Sequence, residues 1–316
     1  MRVSGSSLVV YAAIATNFAI AATKFAVAAL SGSSAVLSEA IHSLVDTGNQ
    51  ALLLVGLRRS QRKPDADFPF GYGRELYFWS LIVAILLFGL GGGMAFYEGL
   101  GHVLHPEPMK SGFWAYIVIG AAAVFEGISF TVARREILRR GASGSLWQRI
   151  RRSKDPSVFI VILEDSAALI GLAVAFAGVL FSHLLKMPFI DGVASCVIGV
   201  VLSAVALILA SETRGLLIGE SARTDTVRRI RDTVCESAFV TNAHAPLTMH
   251  LGPDEILLNM EVEFRKGLGA EEQNAAIESL KRTIRHRFPL VKRIFIEPTV
   301  RVGSDAGGEC GRADLV

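Results

Sequence analysis

Four residues in one short stretch have the types and spacing for ion chemistry. Glu39, His42, Asp46 and Asn49 follow one another at intervals of three, four and three. At about 3.6 residues per turn these intervals place all four on one stripe of a helix. His42 and Asp46, at i and i+4, can offer an imidazole nitrogen and a carboxylate to the same ion. That donor pair suits zinc or another borderline divalent metal, and with no sulfur nearby it does not suit a soft ion. The competing reading is a buried His–Asp hydrogen bond that only joins helices. A second acidic pair, Glu164–Asp165, interrupts another apolar run. Asp165 can complete a site from across a helix interface. Glu164 points about 100° away from it around the helix, so it is read as a proton carrier or as a partner of Lys24. Lys24 and Glu126 are single charges in two further apolar stretches, read as interhelical partners or as the lining of a water-filled cavity, with a structural role favoured for Lys24.

Ionisable residues matter this much because of where they sit. The chain has 316 residues, of which 51% are hydrophobic and only 19% charged. Its mean hydropathy is +0.45. A soluble domain carries about 25% charge, so an ordinary cytosolic enzyme and a disordered chain are both excluded. The formal charge of +3 gives no general pull toward nucleic acid. Cys196, Cys235 and Cys310 form no CxxC pair, which argues against a thiolate zinc finger and a disulfide scaffold.

A helix crosses the roughly 30 Å hydrocarbon core in about 20 residues. Six stretches meet that length: 7–30, 33–57, 76–97, 111–133, 156–182 and 192–211. The first continues past Lys24 and is too long for a signal-peptide core, so it is read as a retained helix. Lys and Arg set the orientation. They crowd the loop after the second stretch (Arg58, Arg59, Arg62, Lys63, Arg74) and the loop after the fourth (Arg134 to Lys154). The other loops hold almost none, so both termini are expected in the cytosol. The 134–154 arginines are read as this inside-positive loop in preference to a nucleic-acid patch. Gly89, Gly91, Gly92 and Gly93 are read as close helix packing. No HExxH and no nucleophile arrangement stands out, so no enzyme is expected.

Beyond residue 219 the composition changes to that of a small soluble domain. Val227, Ile230 and Val234 recur at helical spacing, as do Ile277, Leu280, Ile284 and Phe288. Ile256, Leu258, Met260, Val262 and Phe264 alternate as in a half-buried strand. Further strands are expected near 245–251 and at 291–297, the last stopped by Pro298. The expected fold is an α-helical membrane protein of six transmembrane helices (1–219). A small cytosolic α/β domain of ferredoxin-like αββαβ order (220–300) and a disordered tail (301–316) follow.

These features resemble the cation diffusion facilitator, or zinc transporter, family. The resemblance rests on the segment SEAIHSLVDTGNQ (38–50), on PFGYGR (69–74), on six helices and on the C-terminal α/β domain. It covers about 7–300. The strings ILEDSAALIGL and HSLVDTGNQ resemble a divergent branch that includes the organellar zinc transporter 9 type. The resemblance implies a homodimeric exporter of divalent metal driven by proton exchange, in an integral multi-pass membrane position, here the cell (inner) membrane. It implies a site of two residues from helix two and two from helix five. His42 and Asp46 match the first pair, and Asp165 matches the second position of the usual HxxxD or DxxxD. The first position is Val161, which cannot bind metal. Asn49, Glu164 or water is expected to replace it, and His42 and Glu164 to couple protons. No cofactor is implied beyond the transported cation, with zinc favoured over Mn, Fe or Co. The Val161 gap leaves open a metal-binding membrane protein that regulates partners without transporting. In the C-terminal domain His244, His250, His286 and Glu297 are the candidate metal ligands, although surface histidines are the simpler reading. The expected partners are metal ions, protons, the bilayer and a second copy, with no nucleic acid.

Overall fold

The computed structural model describes residues 5–106, 112–139, 148, 154 and 156–299. The expected tail, and most of the arginine-rich loop after residue 139, lie outside the described residues. The chain divides into two compact units. One comprises Glu75–Arg214 with the chain up to Arg62. The other comprises Lys63–Arg74 with the chain from Gly215 onward.

Among the described residues the first unit holds six long helices. They are α1 (Gly5–Ser31), α2 (Ser34–Ser60), α3 (Glu75–Leu104), α4 (Gly112–Arg139), α5 (Pro156–Leu185) and α6 (Phe189–Ile218). Within α3, Leu87–Gly93 winds as a π-helix. Among the described residues four stretches are long and apolar enough to cross a membrane: Glu75–Leu104, Ala115–Arg135, Phe159–Leu185 and Phe189–Ile218. The described apolar part of α1 is shorter, Phe18–Ser31. α2 is not in this set, because Glu39, His42, Asp46, Asn49 and Gln50 dilute its apolar run. Helices suit this solvent because they satisfy every backbone group within the segment.

Local chemistry fixes how α2 enters the bundle. Gly32 takes a left-handed φ of 70°, which lets α1 end and α2 begin two residues later. Ser33 caps α2, accepting from Val36 N at 3.2 Å. A second cap comes from another helix. The buried carboxylate of Asp191, in the first turn of α6, accepts from Ser34 N at 2.6 Å and Ala35 N at 3.3 Å. It also accepts from the Ser33 and Ser34 hydroxyls. An anion at a helix N-terminus meets free N–H groups and the positive end of the dipole. One turn on, Ser38 and Ser195 share a hydrogen bond, and Ser195 also donates to Ala95 O at 3.1 Å. α2, α3 and α6 are thus joined by a polar seam.

The α3–α6 contact depends on small residues. A Cβ on Gly99 would strike the backbone of Gly192 and Cys196, and one on Gly199 would strike Phe96 and Gly92. Gly92 faces Gly199 and Ser203 in the same way, whereas Gly89 faces open space. The packing role therefore falls on Gly92 and Gly99 rather than on the whole glycine run.

Among the described residues the second unit holds a four-stranded sheet and two helices. The elements are α7 (Thr224–Cys235), β1 (Val240–Ala243), β2 (Leu247–Gly252), β3 (Glu255–Phe264), α8 (Ala270–Arg287) and β4 (Val291–Thr299). β3 is central. β4 runs parallel along one edge, while β2 and β1 pair antiparallel with its first and second halves. Ile256, Leu258, Met260 and Val262 bury their side chains with Ile230 and Val234 of α7 and Leu280 and Ile284 of α8. Each such burial stabilises by about 1.5–3 kcal/mol.

Two strand expectations are corrected. The strand expected near 245–251 is β2, but the expected αββαβ order lacks β1 (Val240–Ala243), a separate strand that precedes it. Pro246, with no N–H to give, lies in the gap between the two. β4 does not stop at Pro298 but runs through it, with Val262 opposite Pro298 and Glu263 opposite Thr299. Proline is tolerated there because, among the described residues, β4 pairs only with β3, and an edge strand can turn its missing donor outward. The segment 63–74, expected with the membrane domain, belongs to this unit. Gly73 lies against Leu251 O, and Arg74 reaches Met249 Sδ at 2.7 Å.

Candidate metal centre

The α2 stripe faces inward. Glu39, His42 and Asn49 are each about 1% exposed. Asp46 is 14% exposed. His42 Nε2 lies 3.4 Å from Asp46 Oδ2, while neither ring nitrogen makes a hydrogen bond, and Asp46 Oδ1 makes none. A buried imidazole beside a carboxylate, both with free lone-pair positions, is a donor set ready for another partner.

Asp46 opens into a cavity of about 200 Å³. At roughly 30 Å³ per water, that holds a cation with several waters. α5 contributes Val161, Glu164 and Asp165 to its walls, and α4 contributes Phe125, Glu126, Ile128 and Ser129. Ser43 and Gln50 come from α2, and Ile20 from α1. Of the residues expected from sequence, Asp46, Glu164 and Asp165 thus share one cavity. His42 adjoins it through Asp46. Asn49 does not line it; its amide donates to Glu164 Oε1 at 2.8 Å. Val161 does line it, so the apolar side chain at that position faces the site.

The other partners also differ from expectation. Ser129 donates to Asp165 Oδ2 at 2.8 Å. Lys24 is not paired with Glu164. Its ammonium lies 3.4 Å from Glu39 Oε2 and donates to Ser43 Oγ at 2.6 Å, in a pair that is almost wholly buried. Among the described residues, no three His, Cys, Asp or Glu side chains already close on one point. The cavity is an open acidic chamber rather than a finished coordination shell.

Glu126 takes the cavity-lining place that is one of its two sequence readings, whereas Ser129, Ser43 and Gln50 line the cavity with no such expectation from sequence. Glu126 and Ser129 stand at i and i+3 in an otherwise apolar helix. That spacing was a legible signal, since it puts both on one face. In the second unit the candidate ligands are dispersed. His244 Nε2 is 3.3 Å from Glu263 Oε1, and Glu297 accepts from Asn259 at 3.1 Å. His250 is buried in β2, and His286 is exposed on α8.

The fold and cavity define a helical membrane protein with a buried acidic chamber between α2, α4 and α5. Sequence comparison gives the class its family. The cation efflux transmembrane domain matches residues 10–218, and the chain belongs to that family, which consists of transporters rather than enzymes. It is 34% identical over 266 residues to the "Proton-coupled zinc antiporter SLC30A9, mitochondrial" of Xenopus laevis, covering 84% of this chain and 48% of that one. It is 32% identical over 261 residues to "Metal tolerance protein C4" of Arabidopsis thaliana, covering 82% and 57%. It is 24% identical over 257 residues to the "Cation-efflux pump FieF" of Cronobacter sakazakii, covering 81% and 80%. The chain spans about half the length of the zinc antiporters it matches.

Proposed function

We propose that the chain transports a divalent cation, zinc foremost, out of the cytosol by alternating access in exchange for protons. The observation that carries this reading is the cavity lined by Asp46 of α2 with Glu164 and Asp165 of α5. The names of the relatives, a proton-coupled zinc antiporter, a metal tolerance protein and a cation-efflux pump, support it. His42, Asp46 and Asp165 bind the ion. Asn49 holds Glu164 near it, and His42 and Glu164 take the returning protons. A metal needs the neutral imidazole and the ionised carboxylate, so its arrival expels protons and protons expel it. Carboxylates around the ion offset its charge and lower the cost of crossing the core.

All six long helices are proposed to cross the bilayer, with both termini in the cytosol and the arginine-rich loops beside them. The sheet domain is read as a ferredoxin-like variant, and the working unit as a two-fold dimer, the commonest symmetric assembly. Light scattering in detergent should then give about twice 33.9 kDa for the protein part, unchanged by chelator.

The decisive experiment is flux of Zn, Mn, Fe and Co into proteoliposomes. Asp46→Ala should abolish saturable uptake at an unchanged protein level, and full uptake would refute the assignment. Val161 supports a second reading, metal binding without transport. Binding by the unmodified protein with no flux under a proton gradient would establish that alternative.

A further inference from the structure

The inward-facing carboxylates of the first unit are nearly all engaged. Glu39 has Lys24, Asp46 has His42, Glu164 has Asn49 and Asp165 has Ser129. Glu126 differs. It lines the same cavity as Asp46, Glu164, Asp165 and Val161. Among the described residues it has no hydrogen bond and no ion pair. It stands in the middle of Ala115–Arg135, an apolar stretch long enough to span a membrane. Val124, two positions before it, is more than half exposed and is no part of the cavity wall, as befits a lipid-facing surface. A carboxylate in such a helix is costly unless something in the cavity answers it. One turn further along, Ser129 holds Asp165, so the face that bears Glu126 is directed at the site.

Val161 supplies the complementary observation. It presents only methyl groups to the chamber, where a fourth donor would complete a site made from α2 and α5. We propose that Glu126 is a direct ligand of the transported cation and supplies the donor that Val161 withholds, so that the site draws on α2, α4 and α5. The replacement is an oxygen donor, which favours harder divalent ions more than an imidazole would. The inference rests on the transport reading above.

The test uses the full-length protein in nanodiscs with Zn²⁺ as probe, and in proteoliposomes for uptake. Even outer partners of a metal site typically cost about tenfold or more in affinity when removed. Glu126→Gln, which keeps shape and removes charge, should therefore raise both Kd and KM by at least about tenfold, without lowering the thermal unfolding temperature. Adding Val161→Asp to Glu126→Gln restores a carboxylate from α5 and should return Kd to within about threefold of the unmodified protein, well inside that loss. Unchanged Kd and KM in Glu126→Gln would overturn the proposal, as would a loss that Val161→Asp leaves untouched. Asp46→Ala separates the two readings. If it binds and transports normally, the cavity site itself fails. If it is inactive while Glu126→Gln is normal, the site stands and the role of Glu126 falls.

Discussion

The Asn49 amide donates to Glu164 Oε1 at 2.8 Å across the α2–α5 interface. Asn49 had the position of a ligand on the α2 stripe, yet its donor group is spent on orienting a carboxylate. Asn49→Leu removes the donor and leaves a buried acceptor unsatisfied, at a cost of about 1–3 kcal/mol. Thermal unfolding in detergent should show that loss. Asn49→Asp should cost more at neutral pH, because two carboxylates then face each other, and less in acid, where one proton can bridge them. Equal stability of Asn49→Asp at both pH values would contradict this geometry.

The buried Lys24–Glu39 pair makes a different prediction. Removing one partner of such a pair strands the other charge and costs about 3–5 kcal/mol, whereas removing both often costs little. Lys24→Met should therefore be strongly destabilised, and Lys24→Met with Glu39→Leu should recover much of the loss. Gly171 tightens the case, since a Cβ there would collide with Glu39 Oε1. Gly171→Ala should destabilise the unmodified protein but be better tolerated once Glu39 is shortened to Ala. Additive losses in these double variants would mean that the residues do not act as a unit.

The spacing of Glu39, His42, Asp46 and Asn49 revealed the inward stripe of α2, because one helix's periodicity is a property of its own sequence. It did not reveal which helices meet that stripe. Glu126 reads from sequence as an interhelical partner or as cavity lining, and the packing of α4 beside α5 puts it in the cavity wall with Ser129. Lys24 reads as a partner of Glu164, and only the packing of α1 on α2 brings it to Glu39 instead. In the second unit the alternation Ile256–Val262 was enough to find β3 and its buried face. Pro246 and Pro298 were harder, because a proline breaks a ladder or not according to which edge its missing N–H faces. That edge is set by pairing at long range. The membership of 63–74 in the second unit had no local signal either, because it depends on Gly73 meeting a β2 carbonyl.

That last contact is testable. A Cβ at Gly73 would overlap Leu251 O, and backbone cannot yield as a flexible side chain can. Gly73→Val should release 63–74 from β2 and weaken the reach of Arg74 to Met249 Sδ. Limited trypsin digestion reads this directly, since the cleavable bonds after Arg62 and Arg74 flank the segment. The variant should be cut there several-fold faster than the unmodified protein at the same folded fraction, opening being local rather than global. Equal cutting rates would show that the contact does not restrain the segment.

Acid should weaken metal binding, and the sign follows from the ligand types. Carboxylates and imidazole bind metal only when deprotonated, so each protonation that blocks a ligand competes with the ion. The apparent Kd for zinc must then rise as pH falls. The slope of log Kd against pH counts the protons displaced. His42, 3.4 Å from Asp46, is one of those sites. His42→Asn should weaken binding throughout, and it reduces the slope only where the imidazole is protonated in the metal-free protein. The residual slope belongs to the carboxylates of the chamber, and it should fall further in Asp46→Asn. Calorimetry in buffers of different ionisation enthalpy gives an independent proton count for each variant. If the unmodified protein releases no proton on binding zinc, exchange at this cavity is excluded. If it does and His42→Asn releases as many, the proton passes through the carboxylates instead of the imidazole.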